Sequence, residues 1–128
     1  LWRINTSTVI LNLIQNRDQT HQFNLMKSSF TYYVYILSNA EKTIYTGVTN
    51  DLFRRLWQHR TGRGSKFTKK HQLAKLVWFD ETDDVTVAIA HEKQIKNWRR
   101  EWKIDLVETG NPEWLDLADG WYGVEGGF

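Results

Sequence analysis

Tyr33-Val34-Tyr35-Ile36-Leu37-Ser38-Asn39 is followed, after a short polar interval, by Thr43-Ile44-Tyr45-Thr46-Gly47-Val48. Both runs are rich in Tyr, Val, Ile and Thr, the residues that suit a pleated and half-buried backbone. With the polar turn Ser38-Asn39-Ala40-Glu41-Lys42 between them, they read as an antiparallel hairpin. A pairing centred on Ala40 places Tyr35 and Tyr45 directly opposite each other, about 5 Å apart at Cβ. A slip of one residue turns the two phenols to opposite faces. Gly47 and a strongly basic segment come next.

The 128 residues suffice for one domain with a modest core. Without cysteine there is no disulfide framework and no thiolate metal site, and a reducing compartment is the expectation. No apolar run nears the ~20 residues of a membrane span, and the first residues lack the order of a secretory signal. A cytoplasmic protein without a membrane partner is the expected class. The formal net charge of +2 conceals a polarity along the chain. Arg54 to Lys75 holds eight basic residues and no acidic one, whereas Ile104 to Phe128 holds six acidic residues and no basic one. A basic block inside a folded domain points to an anionic partner, of which a phosphate backbone is the commonest. Its members Arg54, Arg60, Arg63, Lys66, Lys69 and Lys70 are the expected nucleic-acid contacts. The bland alternative is a solvated surface.

Residues 1–29 are rich in Asn, Thr, Gln and Ser and are read as an extension of uncertain origin. Met26 is the sole methionine and a candidate natural start. Thr8–Ile14 permits either a short strand or a helix. A domain over 30–118 follows, and 119–128 are expected to form a flexible tail. Within the domain, Thr49 or Asn50 is expected to cap a helix over Asp51–Thr61, with Leu52, Phe53, Leu56 and Trp57 on its apolar face. Arg55 and His59, four residues apart, share one edge of that helix. Lys66 to His71 read as a basic loop and Leu73–Phe79 as a third strand. Asp83 or Asp84 is expected to cap a helix running to about Arg100, with Val85, Ala88, Ile89, Ile95 and Trp98 as its apolar stripe. Glu92 falls inside that stripe. A buried polar group without a partner costs ~2–7 kcal/mol, so Glu92 requires a cation, either an arginine in a structural ion pair or a metal. A further helix is expected around Trp102 to Val107, and Asn111-Pro112-Glu113-Trp114 is expected to open another. The order β-β-α-β-α-α predicts an α+β fold, a small three-stranded mixed sheet covered by helices.

Tyr33-Val34-Tyr35, with Tyr45-Thr46-Gly47 ten residues on, resembles the paired signature of the GIY-YIG nuclease superfamily. Arg55 on its helix, the Ala90-His91-Glu92 segment and Asn111-Pro112-Glu113-Trp114 fall in the order found in the small stand-alone bacterial members. The resemblance covers about residues 31–117. Tyr33, Val34 and Thr46 depart from the signature, whereas both tyrosines and Gly47 are kept. The resemblance implies a metal-dependent endonuclease acting on DNA, in repair or recombination, with Tyr35 as general base and Tyr45 orienting or relaying. It further implies that His59 assists, Arg55 holds the scissile phosphate and Glu92 binds one Mg²⁺ or Mn²⁺. The role of Asn111 is left open. Hydrolysis of a phosphodiester needs an activated water and neutralisation of developing charge. A phenol is a poor base at neutral pH unless cations stand beside it. The alternative reading is a non-catalytic nucleic-acid-binding module of the same fold, using the basic block and the seven tryptophans.

Overall fold

The β-branched and aromatic run at Tyr32–Ser38 forms β1, the middle strand of the sheet. A computed structural model describes residues 30–123. Thr8–Ile14, Met26 and the last residues of the expected tail, 124–128, lie outside the described residues. The sheet order is β2-β1-β3, with β2 at Ile44–Thr49 and β3 at Lys75–Thr82. Val34 and Ile36 enter one apolar cluster with Val77, Ala88, Ile95 and Val107. Tyr35 and Leu37 enter another, on the opposite face, with Leu52, Leu56, Leu73 and Leu76. Cover on both faces explains why Val34 to Ser38 are buried without a break.

Both pairings are antiparallel, so the sheet expected to be mixed is not. Helices α1 (Leu52–Arg60) and α2 (Lys66–Lys70) carry the chain from β2 to the far side of β1. There β3 enters against the direction of β1. A bulge lies where Ile36 pairs with Trp78 and Leu37 with Leu76, making Val77 the extra residue. Val77 and Trp78 then both face the first cluster.

The hairpin register also differs from expectation. Tyr35 pairs with Gly47 and Leu37 with Tyr45, so the pairing centres on residue 41 and not on Ala40. Asn39 sets this: its Oδ1 accepts from the backbone N–H groups of Glu41 and Thr43, both at 3.0 Å, and Lys42 takes φ 61°. The displacement amounts to two residues, so the two tyrosines stay on one face as diagonal neighbours.

Asp51 itself caps α1, accepting from Arg54 N at 3.0 Å, in place of Thr49 or Asn50. Leu52 and Leu56 point inward, whereas Phe53 and Trp57 are exposed. The expected basic loop contains α2, capped by Ser65, whose Oγ accepts from Thr68 N. Helix α3 (Val85–Asn97) is capped by Asp84 and stops at the extended Trp98, short of Arg100. Its inward positions are Ala88, His91 and Ile95; Val85 and Ile89, expected in the stripe, are exposed. Helix α4 (Arg100–Gly110) follows. The Asn111–Trp114 stretch opens no helix. It turns, with Trp114 at φ 56°.

Within the expected tail, Tyr122 is held against α1. Tyr122 Oη donates to Phe53 O at 2.7 Å and its ring lies 4.5 Å from that of Phe53. Asp116 Oδ1 accepts from Leu76 N (3.2 Å) and Ala118 N (3.0 Å), and its Oδ2 takes the Arg60 guanidinium. Among the described residues no helix is long and apolar enough to cross a membrane. Asp116→Ala leaves the Arg60 guanidinium, whose side chain is 5% exposed, without its counter-charge. Loss of about 3–5 kcal/mol in urea denaturation is expected, and a loss under 1 kcal/mol would contradict this account of the C-terminal anchor.

Candidate active site

Because β1 is central, its side chains are held by both neighbouring strands, and Tyr35 is 1% exposed. Its ring crosses over Gly47, the residue paired with it. A Cβ at Gly47 would stand 2.5 Å from both Cζ and Oη of Tyr35, so only glycine leaves room for the phenol. The ring thus reaches along the sheet toward α1, where Oη meets His59 Nε2 at 3.1 Å. His59 is placed in turn by a second glycine. A Cβ on Gly64 would lie 2.5 Å from His59 Nδ1 and 2.6 Å from Thr68 Oγ1.

Tyr45 completes an aromatic cluster. Its ring centroid lies 6.3 Å from that of Tyr35 and 5.5 Å, edge-on, from the His59 imidazole. Phe67 of α2 stacks on its other side at 6.5 Å. The α1 spacing brings Arg55, one turn before His59, to the same place, and its charge acts on both Tyr35 and His59. The sequence had placed Tyr35, Tyr45, Arg55 and His59 in one site, and the structure brings these four together.

Burial pushes the Tyr35 phenol above its ordinary range; Tyr45 adds to this, and the Arg55 guanidinium pulls the other way without prevailing. Burial, then Arg55, lowers His59 to about 4, so the imidazole is neutral at pH 7. Buried Nδ1 has no hydrogen-bond partner. A bare lone pair costs less than a bare N–H, which assigns the proton to Nε2 and makes His59 the donor to Tyr35 Oη.

Glu92 is reached through a cation. Its Oε2 lies 2.8 Å from Lys96 Nζ, one turn on in α3, and Nζ sits 6.0 Å from the Tyr45 ring centroid. The cation that Glu92 required is therefore Lys96, not an arginine, and the i,i+4 spacing would have revealed it. Among the described residues no group of three or more His, Cys, Asp or Glu is placed to hold a metal. Glu92 thus offers a single carboxylate, its Oε2 in the contact with Lys96.

Of the expected phosphate contacts, Arg54, Arg63, Lys66, Lys69 and Lys70 are exposed. Arg60 is not among them. It is drawn into the fold, donating to Ala74 O at 2.9 Å and pairing with Asp116. Asn111 is likewise structural: its amide donates to Val77 O and Leu115 O and accepts from Leu115 N. These bonds use its full donor count and leave none for a ligand. His91, expected only as part of the Ala90-His91-Glu92 segment and given no role of its own, is 3% exposed, edge-on to Trp78 and lowered to about 4 by burial alone.

Residues 31–105 match the family model described as the GIY-YIG catalytic domain. A UPF0213 protein of Syntrophus aciditrophicus is 40% identical over 82 residues, which is 63% of this chain and 93% of that one. A UPF0213 protein of Haloquadratum walsbyi is 38% identical over 79 residues, 62% of this chain and 89% of its own. The solution NMR structure of a UPF0213 protein from Bacillus halodurans is 30% identical, covering 67% of this chain and 92% of that one, with a TM-score of 0.45.

Gly47→Ala is expected to cost about 1–3 kcal/mol in urea denaturation, because the phenol has nowhere to retreat. On a Tyr35→Leu background the same change should cost less than about 1 kcal/mol. Equal costs on both backgrounds would refute the contact. Acid stability supplies a second test. His59 and His91 stay neutral in the fold to about pH 4 but titrate near 6.5 when unfolded. Their contribution is complete above pH 6.5 and is lost as pH falls from 6.5 toward 4, on the order of 2 kcal/mol each by pH 4.5. His91→Phe should shrink the stability lost between pH 7.5 and 4.5 by about that amount, and an unchanged loss would exclude burial of a neutral imidazole.

Proposed function

Because this chain belongs to the GIY-YIG catalytic domain family, we propose that it is a metal-dependent endonuclease hydrolysing phosphodiester bonds in DNA. The observation carrying this reading is the buried Tyr35–His59 pair with Arg55 beside it. Tyr35 takes the proton of the attacking water. It does so as the phenolate and becomes a neutral phenol on taking that proton; before the transfer the phenolate accepts the Nε2–H of His59 and lies in the field of Arg55, the two groups best placed to stabilise it. Arg55, exposed at the mouth of the site and always charged, grips the scissile phosphate. When the phosphate neutralises Arg55, His59 is relieved of one of the two causes that hold it neutral. Tyr45 fixes the rings of Tyr35 and His59 from the side and orients the water.

The residues present fit a hydrated Mg²⁺ or Mn²⁺, which takes one or two carboxylates and leaves its other positions to water and phosphate. Glu92 would hold it through its carboxylate, which Lys96 already pairs at Oε2. A closed four-ligand site of the structural zinc type does not fit, since among the described residues Glu92 belongs to no group of three or more His, Cys, Asp or Glu placed to hold a metal. A divalent ion bound there supplies charge compensation to the phosphate oxygens. Arg54, Arg63, Lys66, Lys69 and Lys70 carry the DNA backbone through contacts that read no sequence. A substrate recognised by shape, such as branched, flapped or damaged DNA in repair or recombination, suits such a surface. The same exposed cations favour the second reading, a module that binds nucleic acid without cutting it.

Purified protein is expected to cut DNA with Mg²⁺ or Mn²⁺ and not with chelator. Tyr35→Phe should lower kcat by at least about 10²-fold, the usual contribution of a general base. Cutting that survives both Tyr35→Phe and Glu92→Ala would discard the site, and salt-sensitive binding without cutting would select the second reading. The working base is the ionised phenol, whose fraction grows tenfold per pH unit below its pKa. With that pKa held above the ordinary 10, kcat/KM should climb through pH 9 without a plateau. A plateau near pH 7 that disappears in Tyr35→Phe would show that the phenol titrates low and that burial does not govern it.

A further inference from the structure

On the sheet face that carries Tyr35, an open cavity of about 420 Å³ lies beyond the start of β1. Tyr33, two residues before Tyr35 and therefore on the same face, is one of its walls. Phe79 of β3 faces Tyr33 at 6.4 Å between ring centroids, and Trp121 stands edge-on to Phe79 at 6.4 Å. Phe53 lies parallel to Trp121, 15° between planes, and closes the side. Asn50, Asp51 and Glu81 supply the polar part of the lining.

We propose that this aromatic cavity receives one unpaired nucleobase of the DNA strand held at Tyr35, a reading that rests on the nuclease function above. Stacking between flat rings is the interaction such a cavity offers, and every base has a π-face to stack. The carboxylates of Asp51 and Glu81 exclude a phosphate from the same space, which leaves the backbone to the basic helices and the cavity to the base. Distance agrees. Tyr33 and Tyr35 are separated by roughly 7 Å along the strand, about two stacked nucleotide steps. The tyrosine at position 33 also stands where the family signature has a glycine, so the wall nearest the site is a departure from that signature. An enzyme that needs a base out of its stack selects junctions, flaps and mismatches, where unstacking costs least.

The test uses the full chain and branched DNA in which a single abasic residue is moved one nucleotide at a time along the strand on both sides of the cut. Wild type is expected to show one position at which the abasic residue raises KM by about tenfold. Phe79→Ala and Trp121→Ala should raise KM on intact DNA by a similar factor and show no further rise with the abasic substrate. Both aromatic residues lie outside the proton-transfer site, so kcat at saturation serves as the control for correct folding. Cutting with the same KM at every abasic position overturns the base pocket and leaves the nuclease reading intact. A sensitive position that stays equally sensitive in both variants also overturns it, since the base is then read elsewhere. If the cavity instead binds tetramethylammonium in calorimetry, with loss in Phe79→Ala and no abasic effect, it is a cation cage and the proposal fails. No cutting of any DNA removes the nuclease reading and this proposal together.

Discussion

The whole site depends on a steric fact, the passage of the Tyr35 ring across the backbone of Gly47. A tyrosine at the centre of a sheet ordinarily serves the core, and Tyr35 does so through its ring. The missing Cβ opposite lets the hydroxyl leave the core and reach α1. Everything around it follows from that reach. His59 must be where Oη ends, Gly64 must lack a side chain where His59 stands, and Tyr45 fills the diagonal position. Arg55 arrives one helical turn earlier. The geometry is one of mutual exclusion of volume, which packed protein interiors enforce to fractions of an ångström.

The electrostatics of the site are less cooperative than its packing. Burial opposes the ionisation of both Tyr35 and His59. Arg55 favours the phenolate but disfavours the imidazolium, so it favours placing the imidazole as a neutral donor over a charged one. Both groups therefore rest in their neutral forms in the fold. A small domain with an unprotected phenolate would lose stability to no purpose in the absence of substrate.

Much of this was legible in the sequence. Alternating β-branched and aromatic residues gave the hairpin, and the family resemblance gave the four residues that meet. The register was misjudged because Asn39 bonds two backbone amides of the turn and moves the pairing centre, a tertiary detail absent from propensity. The error did no harm to the site because it was even in residues. The mixed sheet was expected because strand direction across a helical connection is not encoded in periodicity. Arg60 was counted with the basic block because charge along a chain does not tell which guanidinium turns inward; its partner Asp116 lies 56 positions on. The isolated Glu92 was read correctly as demanding a cation, and Lys96 answers at i+4. The left-handed Trp114, against the expected helix, follows no local signal.

The Arg60–Asp116 pair has a bearing on the order in which the domain acquires its structure. The hairpin and α1 are local in sequence and close only short loops. Their buried guanidinium, however, waits for a carboxylate that emerges 56 residues later, and Leu76 N waits 40 residues for the same side chain. A chain halted before Asp116 would hold an uncompensated cation against its second apolar cluster. Closure of such distant contacts is slow relative to local ones. The segment around Asp116 thus supplies long-range contacts that the earlier elements cannot make among themselves.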